Sequence, residues 1–144
     1  MINQLKLHYQ YLPRFGPGDD ILKKYLVIYK MHIQAKDFTI FVKQLLSDYF
    51  INKTVLDVGS GDINGNNRFL FQNCEYYGND VIQGHNVTVV SKTKDLQFSS
   101  NSFDTIISTE CFEHDPEYKE SLLKIYDMLK PNGLFCFTCA STGR

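Results

Sequence analysis

Short apolar runs alternate with longer amphipathic stretches over the last two thirds of this chain. Thr54 to Val58 is the first such run, and it predicts a buried strand. Residues near Asn66 to Gln72 predict a helix, with Phe69 and Leu70 inward. Glu75 to Asn79 predicts a second strand, Phe103 to Ser108 a further one, and Leu134 to Cys139 the last. Between the last two, Asp115-Pro116 has the form of a helix start, an acid at the N-cap and then proline at the first helical position. Leu122, Ile125 or Tyr126, and Leu129 recur at helical spacing until Lys130-Pro131-Asn132-Gly133 stops the helix. Strands alternating with helices predict an α/β fold, a mostly parallel sheet with helices on its faces. One segment does not fit. Only Val81 to Asn86 lies between the second strand and the apolar Val87-Thr88-Val89-Val90, and a parallel crossover needs a dozen or more residues. Residues 87–90 are therefore expected to turn back antiparallel or to be irregular.

The first 50 residues read differently. Tyr11 to Gly18 is a loop, broken by two prolines and two glycines. Asp19 or Asp20 caps a helix of about residues 20–34, with Ile21, Tyr25, Ile28 and His32 or Met31 as its stripe. Asp37 caps another, with Ile40, Phe41, Leu45 and Leu46 inward. The division expected is a helical segment, 1–50, packing on a core of 51–144. The helices either cover the sheet or form a lid.

Composition narrows the class. A length of 144 residues suits one domain with a sizeable core. A net charge of −1, from 15 basic and 16 acidic residues, gives no field that would hold a polyanion. No apolar run reaches the ~18 residues of a membrane span, and the first residues do not open a signal peptide, so the expectation is a cytoplasmic protein. Cys136 and Cys139 have CxxC spacing, but an offset of three along a strand sends the side chains to opposite faces. They read as buried small hydrophobes, and no metal is expected.

The chemistry gathers where the first strand ends. Asp57-Val58-Gly59-Ser60-Gly61 is an acid followed by two glycines one residue apart. Glycines there permit unusual φ and let a ligand approach bare backbone. Nineteen residues beyond Gly61 the second strand delivers Asp80, about where a ribose-binding carboxylate belongs.

With Gly78-Asn79-Asp80, Asp95-Leu96-Gln97-Phe98, Asn101 to Ser108, Glu113-His114 and Leu129 to Leu134 following in order, the chain resembles a class I S-adenosylmethionine (SAM)-dependent methyltransferase of the type 11 kind. The resemblance spans roughly residues 53 to 141. It implies a Rossmann-like, three-layer α/β/α fold, here lacking the last strands of the family fold. It implies SAM as cofactor and methyl donor, held by Asp57, Gly59, Ser60, Gly61, Asp80 and Asp95. Asp80 would take the two ribose hydroxyls. Asp57 would hold the glycine loop, the donor's amino group, or both. The family's third glycine is here Ile63. Asn64, Asn66 and Asn67 read either as donors to the methionine carboxylate or as plain turn residues. Where the family often has an acid for the adenine amino group, this chain has Lys92, which cannot accept a hydrogen bond. That contact falls to backbone near Thr93 or to Asp95.

Glu110-Cys111-Phe112-Glu113-His114 follows the strand of 103–108. Glu110 and His114 are the candidate catalytic residues, with His114 suited to general-base work near neutrality. The alternative is that Glu113 and His114 only fix the loop. The function expected is methyl transfer to an acceptor more in keeping with a small molecule than with nucleic acid. Two alternatives stand beside it. One is a non-catalytic scaffold of the same fold. The other is an NAD(P) oxidoreductase, disfavoured by the missing third glycine. The strand of 134–139 is apolar on both faces, and an open edge there would invite self-association or a partner.

Overall fold

A computed structural model describes residues 20–62 and 65–139, with side chains from Ile33 onward. The chain divides into two compact units, 1–30 and 31–144. The loop of Tyr11 to Gly18, the stripe of Ile21 to His32, and Ile63 and Asn64 lie outside what is described. Helix α1 (Asp20–Leu45) opens the described chain. Strands β1 (Thr54–Val58), β2 (Glu75–Asp80), β3 (Val89–Val90) and β4 (Phe103–Thr109) follow, then helix α2 (Tyr118–Met128) and strand β5 (Leu129–Thr138). The strands form one sheet in the order β3-β2-β1-β4-β5, and every pair is parallel. This is the α/β architecture that the alternating pattern predicts.

Each face of the sheet buries its own cluster. Leu56, Val58 and Ile106 point to one side and pack with Leu96, Phe103, Phe112, Ile125 and Met128, the last two from α2. Ile107 and Cys136 point to the other, with Phe50 and Leu70. Phe38 and Val42 of α1 cover that second cluster, beside the buried Ala35 and Thr39. The positions 35, 38, 39 and 42 are one helical stripe. Leu56 and Ile106, among the side chains of the central strands that meet no solvent, each stabilise the fold by about 1.5–3 kcal/mol through burial. Phe98 meets Phe103 edge-on at 4.9 Å and Tyr77 at 5.2 Å, which explains the Leu96-x-Phe98 spacing. At the amino end of the sheet, Asp104 accepts from the Thr54 N–H at 2.9 Å and pairs with Lys130 at 3.0 Å. It ties together the starts of β1, β4 and β5.

Six expectations need correction. The helices of 20–34 and beyond Asp37 are one continuous helix, because no glycine or proline interrupts residues 20–45. Leu45 is 65 % exposed and Leu46 is also outward, while the inward stripe is set by Ala35 to Val42. The helix expected over 66–72 is only a single 3-10 turn, Arg68–Leu70, with Leu70 buried and Phe69 53 % exposed. Helix α2 starts at Tyr118, after Asp115-Pro116. Asp115 still anchors it, accepting from the Glu117 N–H at 2.8 Å and the Ser121 hydroxyl at 2.6 Å. Lys130 to Gly133 lie inside β5 as a bulge, between the pairs Phe103–Leu129 and Thr105–Leu134, where Pro131 has no ladder bond to lose.

The sixth correction is β3, which runs parallel to β2 despite the short connection. The dozen-residue rule assumes that the chain must retrace a whole strand. Here only the end of β2 is paired, Asn79 with Val89 and Asp80 with Val90. The Thr88 N–H reaches the Gly78 carbonyl at 2.8 Å, so residues 81–88 need to double back over only a few ångströms. Gly78 makes this possible. A Cβ on it would lie 1.9 Å from the Asn86 carbonyl oxygen.

No described helix is long and apolar enough to cross a membrane. All four cysteines are free.

Gly78→Ala should therefore destabilise the chain by roughly 1–3 kcal/mol or more through overpacking. Gly84→Ala, whose Cβ would make ordinary contact with Val87 at 3.6 Å, should stay within about 1 kcal/mol of wild type. Urea unfolding of the two variants checks the contrast. Equal midpoints would contradict the seating of loop 81–88 on bare backbone.

Candidate functional site

The carboxyl ends of β1, β2 and β4 meet at one edge of the sheet, the edge at which open α/β sheets bind ligands. The chain turns there at Gly59, whose φ is +74°. A side chain at Gly59 would be strained, and its Cβ would lie 2.6 Å from the Cys111 sulfur. The turn aims three successive N–H groups at the end of β2. Gly59 and Ser60 donate to the Asn79 carbonyl at 2.8 and 2.9 Å, and Gly61 donates to Asp80 Oδ2 at 3.0 Å. The other oxygen of Asp80 accepts from the Ile82 N–H at 3.2 Å. A Cβ on Gly61 would stand 2.8 Å from Asp80 Oδ2, so only bare backbone fits. Each oxygen of the half-buried Asp80 carboxylate keeps acceptor capacity for another donor.

Behind this turn lies a buried polar network. Asp57 is 1 % exposed. Its Oδ1 accepts from Asn67 Nδ2 at 3.2 Å, and its Oδ2 takes a short hydrogen bond from the Tyr76 hydroxyl. Asn67 also reaches Thr109 at 3.2 Å. Asn86 Nδ2 donates to the Tyr76 oxygen at 3.1 Å and to the Ser60 carbonyl at 3.3 Å, and the Ser60 hydroxyl donates to the Asn86 carbonyl at 3.3 Å. Burial pushes the Asp57 carboxyl up to about 6, against the pull of its Tyr76 and Asn67 hydrogen bonds. Burial, and then the charge of Asp57, push the Tyr76 phenol far above its ordinary value. Cys111, packed on Gly59, is pushed up to about 11 by burial and stays a thiol at neutral pH, not a nucleophilic thiolate.

The structure thus brings Asp57, Gly59, Ser60, Gly61 and Asp80 into one hydrogen-bonded group. Asp95 stays outside it, exposed and ion-paired with Lys94 at 3.5 Å. From the same 3-10 turn it is the buried Thr93 that reaches in, donating to Asn79 Oδ1 at 3.2 Å. Lys92 pairs with Glu117 at 2.6 Å. Of the three asparagines read beside the glycines, Asn67 faces Asp57 and Asn66 accepts from the Arg68 N–H at 2.9 Å. Sequence reasoning missed Tyr76, Asn79 and Asn86. For Asn79 the available signal was an amide side chain at an inward position of a strand; Tyr76, and Asn86 in the loop of 81–88, offered none.

Glu110 stands just past β4 with φ +52°, and its N–H bonds the Thr138 carbonyl at 3.0 Å. The other described non-glycine residues with positive φ are all asparagines, which tolerate that region, so Glu110 holds the costly one. His114 is exposed, with its N–H on the Cys111 carbonyl at 3.0 Å. Among the described residues, no three His, Cys, Asp or Glu side chains converge to hold a metal ion.

Residues 56–137 match the methyltransferase-domain family, and the chain belongs to it. Over 47 residues it is 38 % identical to phosphoethanolamine N-methyltransferase 2 of Caenorhabditis elegans, covering 33 % of this chain and 11 % of that protein. Solved structures share the fold. A candidate sarcosine dimethylglycine methyltransferase of Galdieria sulphuraria superposes with a TM-score of 0.60 at 21 % identity, over 72 % of this chain and 46 % of the other. The 1,6-didemethyltoxoflavin-N1-methyltransferase of Burkholderia thailandensis, solved with 1,6-didemethyltoxoflavin and S-adenosylhomocysteine, gives 0.54 at 18 %, over 86 % and 64 %. The chain spans less than two thirds of each of these relatives.

The raised carboxyl of Asp57 predicts a pH signature. Folded, it keeps its proton up to about pH 6; unfolded, only up to the ordinary 3.8. The folded state binds the extra proton between those values, so this group adds stability as pH falls from 6 toward 4, by about 1.4 kcal/mol per unit. Above pH 6 that contribution is gone. Asp57→Asn should be at least as stable as wild type at pH 7.5 and should lose this acid-side gain. Thermal unfolding from pH 4 to 7.5 measures it. Parallel stability curves for the two proteins would contradict the buried-charge reading.

Proposed function

We propose that this chain binds SAM at the Gly59–Gly61 turn and serves methyl transfer from it to a small-molecule acceptor. One observation carries the reading. The Asp80 carboxylate is fixed by the Gly61 and Ile82 N–H groups beside two glycines with no room for side chains. A carboxylate so held accepts two hydroxyls at once, as vicinal ribose hydroxyls require. The exposed Val81 and Ile82 next to it offer an apolar face for a base. Gly59, Ser60 and Gly61 supply the backbone against the ribose and methionine portions, with Asp57 fixing the turn from below.

When bound, SAM supplies a methyl group already activated by its sulfonium. The protein's part is to hold donor and acceptor in line, which can supply ~7–11 kcal/mol of the barrier. Glu110 at the rim, in its constrained backbone, and His114 beyond it are the groups proposed to manage an acceptor's proton. The acceptor is taken to be small because relatives whose names state one, such as the toxoflavin and phosphoethanolamine enzymes, act on small molecules. Free cysteines suit a reducing, cytoplasmic setting. The β5 edge is proposed as the place for self-association or a partner.

Calorimetry with S-adenosylhomocysteine should show binding to wild type, and NAD should show none. Asp80→Asn should weaken binding by roughly 1–3 kcal/mol, the cost of losing hydrogen bonds to a charged group. Equal affinity in the variant would remove the ribose assignment, and a folded chain that binds no donor would remove the enzyme reading.

Once an acceptor is found with labelled donor, Glu110→Ala and His114→Ala should lower turnover with donor affinity nearly unchanged. A chelator should leave turnover as it is. If the variants lose only melting temperature, with turnover per folded molecule intact, the two residues fix the loop and take no part in the chemistry.

A further inference from the structure

Loop 81–88 returns from β2 to β3 without a helix to brace it. Its brace is Asn86, 7 % exposed and seated over the bare backbone of Gly78. Asn86 exchanges two hydrogen bonds with Ser60 in the glycine turn, one in each direction at 3.3 Å. Its amide also meets the Tyr76 hydroxyl, which in turn donates to the Asp57 carboxylate. The Arg68 guanidinium lies 4.9 Å over the Tyr76 ring. One chain of contacts therefore joins the loop behind Asp80, the turn that faces the ligand, and the buried acid beneath it.

We infer that Tyr76 and Asn86 are positioning residues for the donor site, acting through Asp57 and Ser60. This rests on the donor reading above. Asn86 locks the two segments that flank the ligand into one rigid wall. Tyr76 gives Asp57 a donor that favours its charged form, so that the acid beneath the turn stays ionised and keeps Asn67 in place. The other charged groups facing this pair are Asp80 and Arg68. His85, beside Asn86, pairs with Asp62 at 3.3 Å, and the binding test uses a His85→Gln background to remove that ion pair from the pH profile.

The test has two readouts on the full chain. The first is amide hydrogen exchange without donor. In Tyr76→Phe and Asn86→Ala, the Ser60, Gly61 and Ile82 amides should exchange roughly tenfold faster or more, the scale of one lost hydrogen bond, while Leu56 and Ile106 keep their protection. The second is S-adenosylhomocysteine affinity against pH. Both variants should bind roughly tenfold more weakly at pH 8. In Tyr76→Phe the acid-side fall in affinity should also move to higher pH, because Asp57 has lost its donor. Unchanged exchange in both variants overturns the inference, as does faster exchange with wild-type affinity. An equal loss at every pH reduces Tyr76 to a structural role. If wild type binds no S-adenosylhomocysteine, the donor reading fails by itself; faster exchange in the variants then still establishes that the pair fixes the turn.

Discussion

Three successive backbone N–H groups, from Gly59, Ser60 and Gly61, converge on the end of β2, and the carboxyl edge depends on that convergence. Consecutive amides along an extended chain point to opposite sides. Aiming three of them at one strand end requires the left-handed turn at Gly59 and leaves no volume for a Cβ at Gly61. β2 must then lie directly beside β1, which the register Val58–Asn79 provides. Asn79 must present its carbonyl outward while its side chain holds the far side, donating to the Val89 and Ser91 carbonyls. The short β3 follows from this, because the same asparagine that receives the glycine turn also fixes the returning loop.

Stability and function pull in opposite directions at this edge. An apolar sheet would gain most by ending in apolar side chains. Here β1 carries, one residue before its end, a buried carboxylate whose ionised form is disfavoured by its surroundings. The cost is contained because the groups around that carboxylate are partnered: Asp57 by Asn67 and Tyr76, and Ser60 by Asn86. The positive φ of Glu110 is a second local cost at the same edge. At the amino edge, Asp104, Thr54 and Lys130 form a simple clamp, with no comparable buried charge.

The sequence was most legible where burial is simplest. The central strands carry dense apolar residues, and β1 falls on Thr54–Val58 as the run predicts, with β4 one residue longer. Connections were less legible, because they depend on how far the chain must travel. The eight residues before β3 suffice only because so little of β2 is paired, and the sixteen between β1 and β2 make a 3-10 turn instead of a helix. At the site, Gly59, Gly61 and Asp80 could be read from a spacing along the chain. Tyr76 and Asn86 could not, since their meeting with Asp57 and Ser60 is made by the fold alone. Asp95 shows the converse: it sits in a readable motif, yet its turn directs Thr93 inward and leaves Asp95 facing Lys94.

The central claim is that the glycine turn and Asp80 together form the ligand-facing wall. Amide chemical-shift mapping by NMR, with S-adenosylhomocysteine added to the labelled wild-type chain, tests it most directly. The largest shifts should fall on Gly59, Ser60, Gly61, Asp80 and Ile82, with the amino edge around Lys53, Asp104 and Lys130 undisturbed. Shifts centred on the amino edge, or spread evenly over a folded chain, would contradict the account.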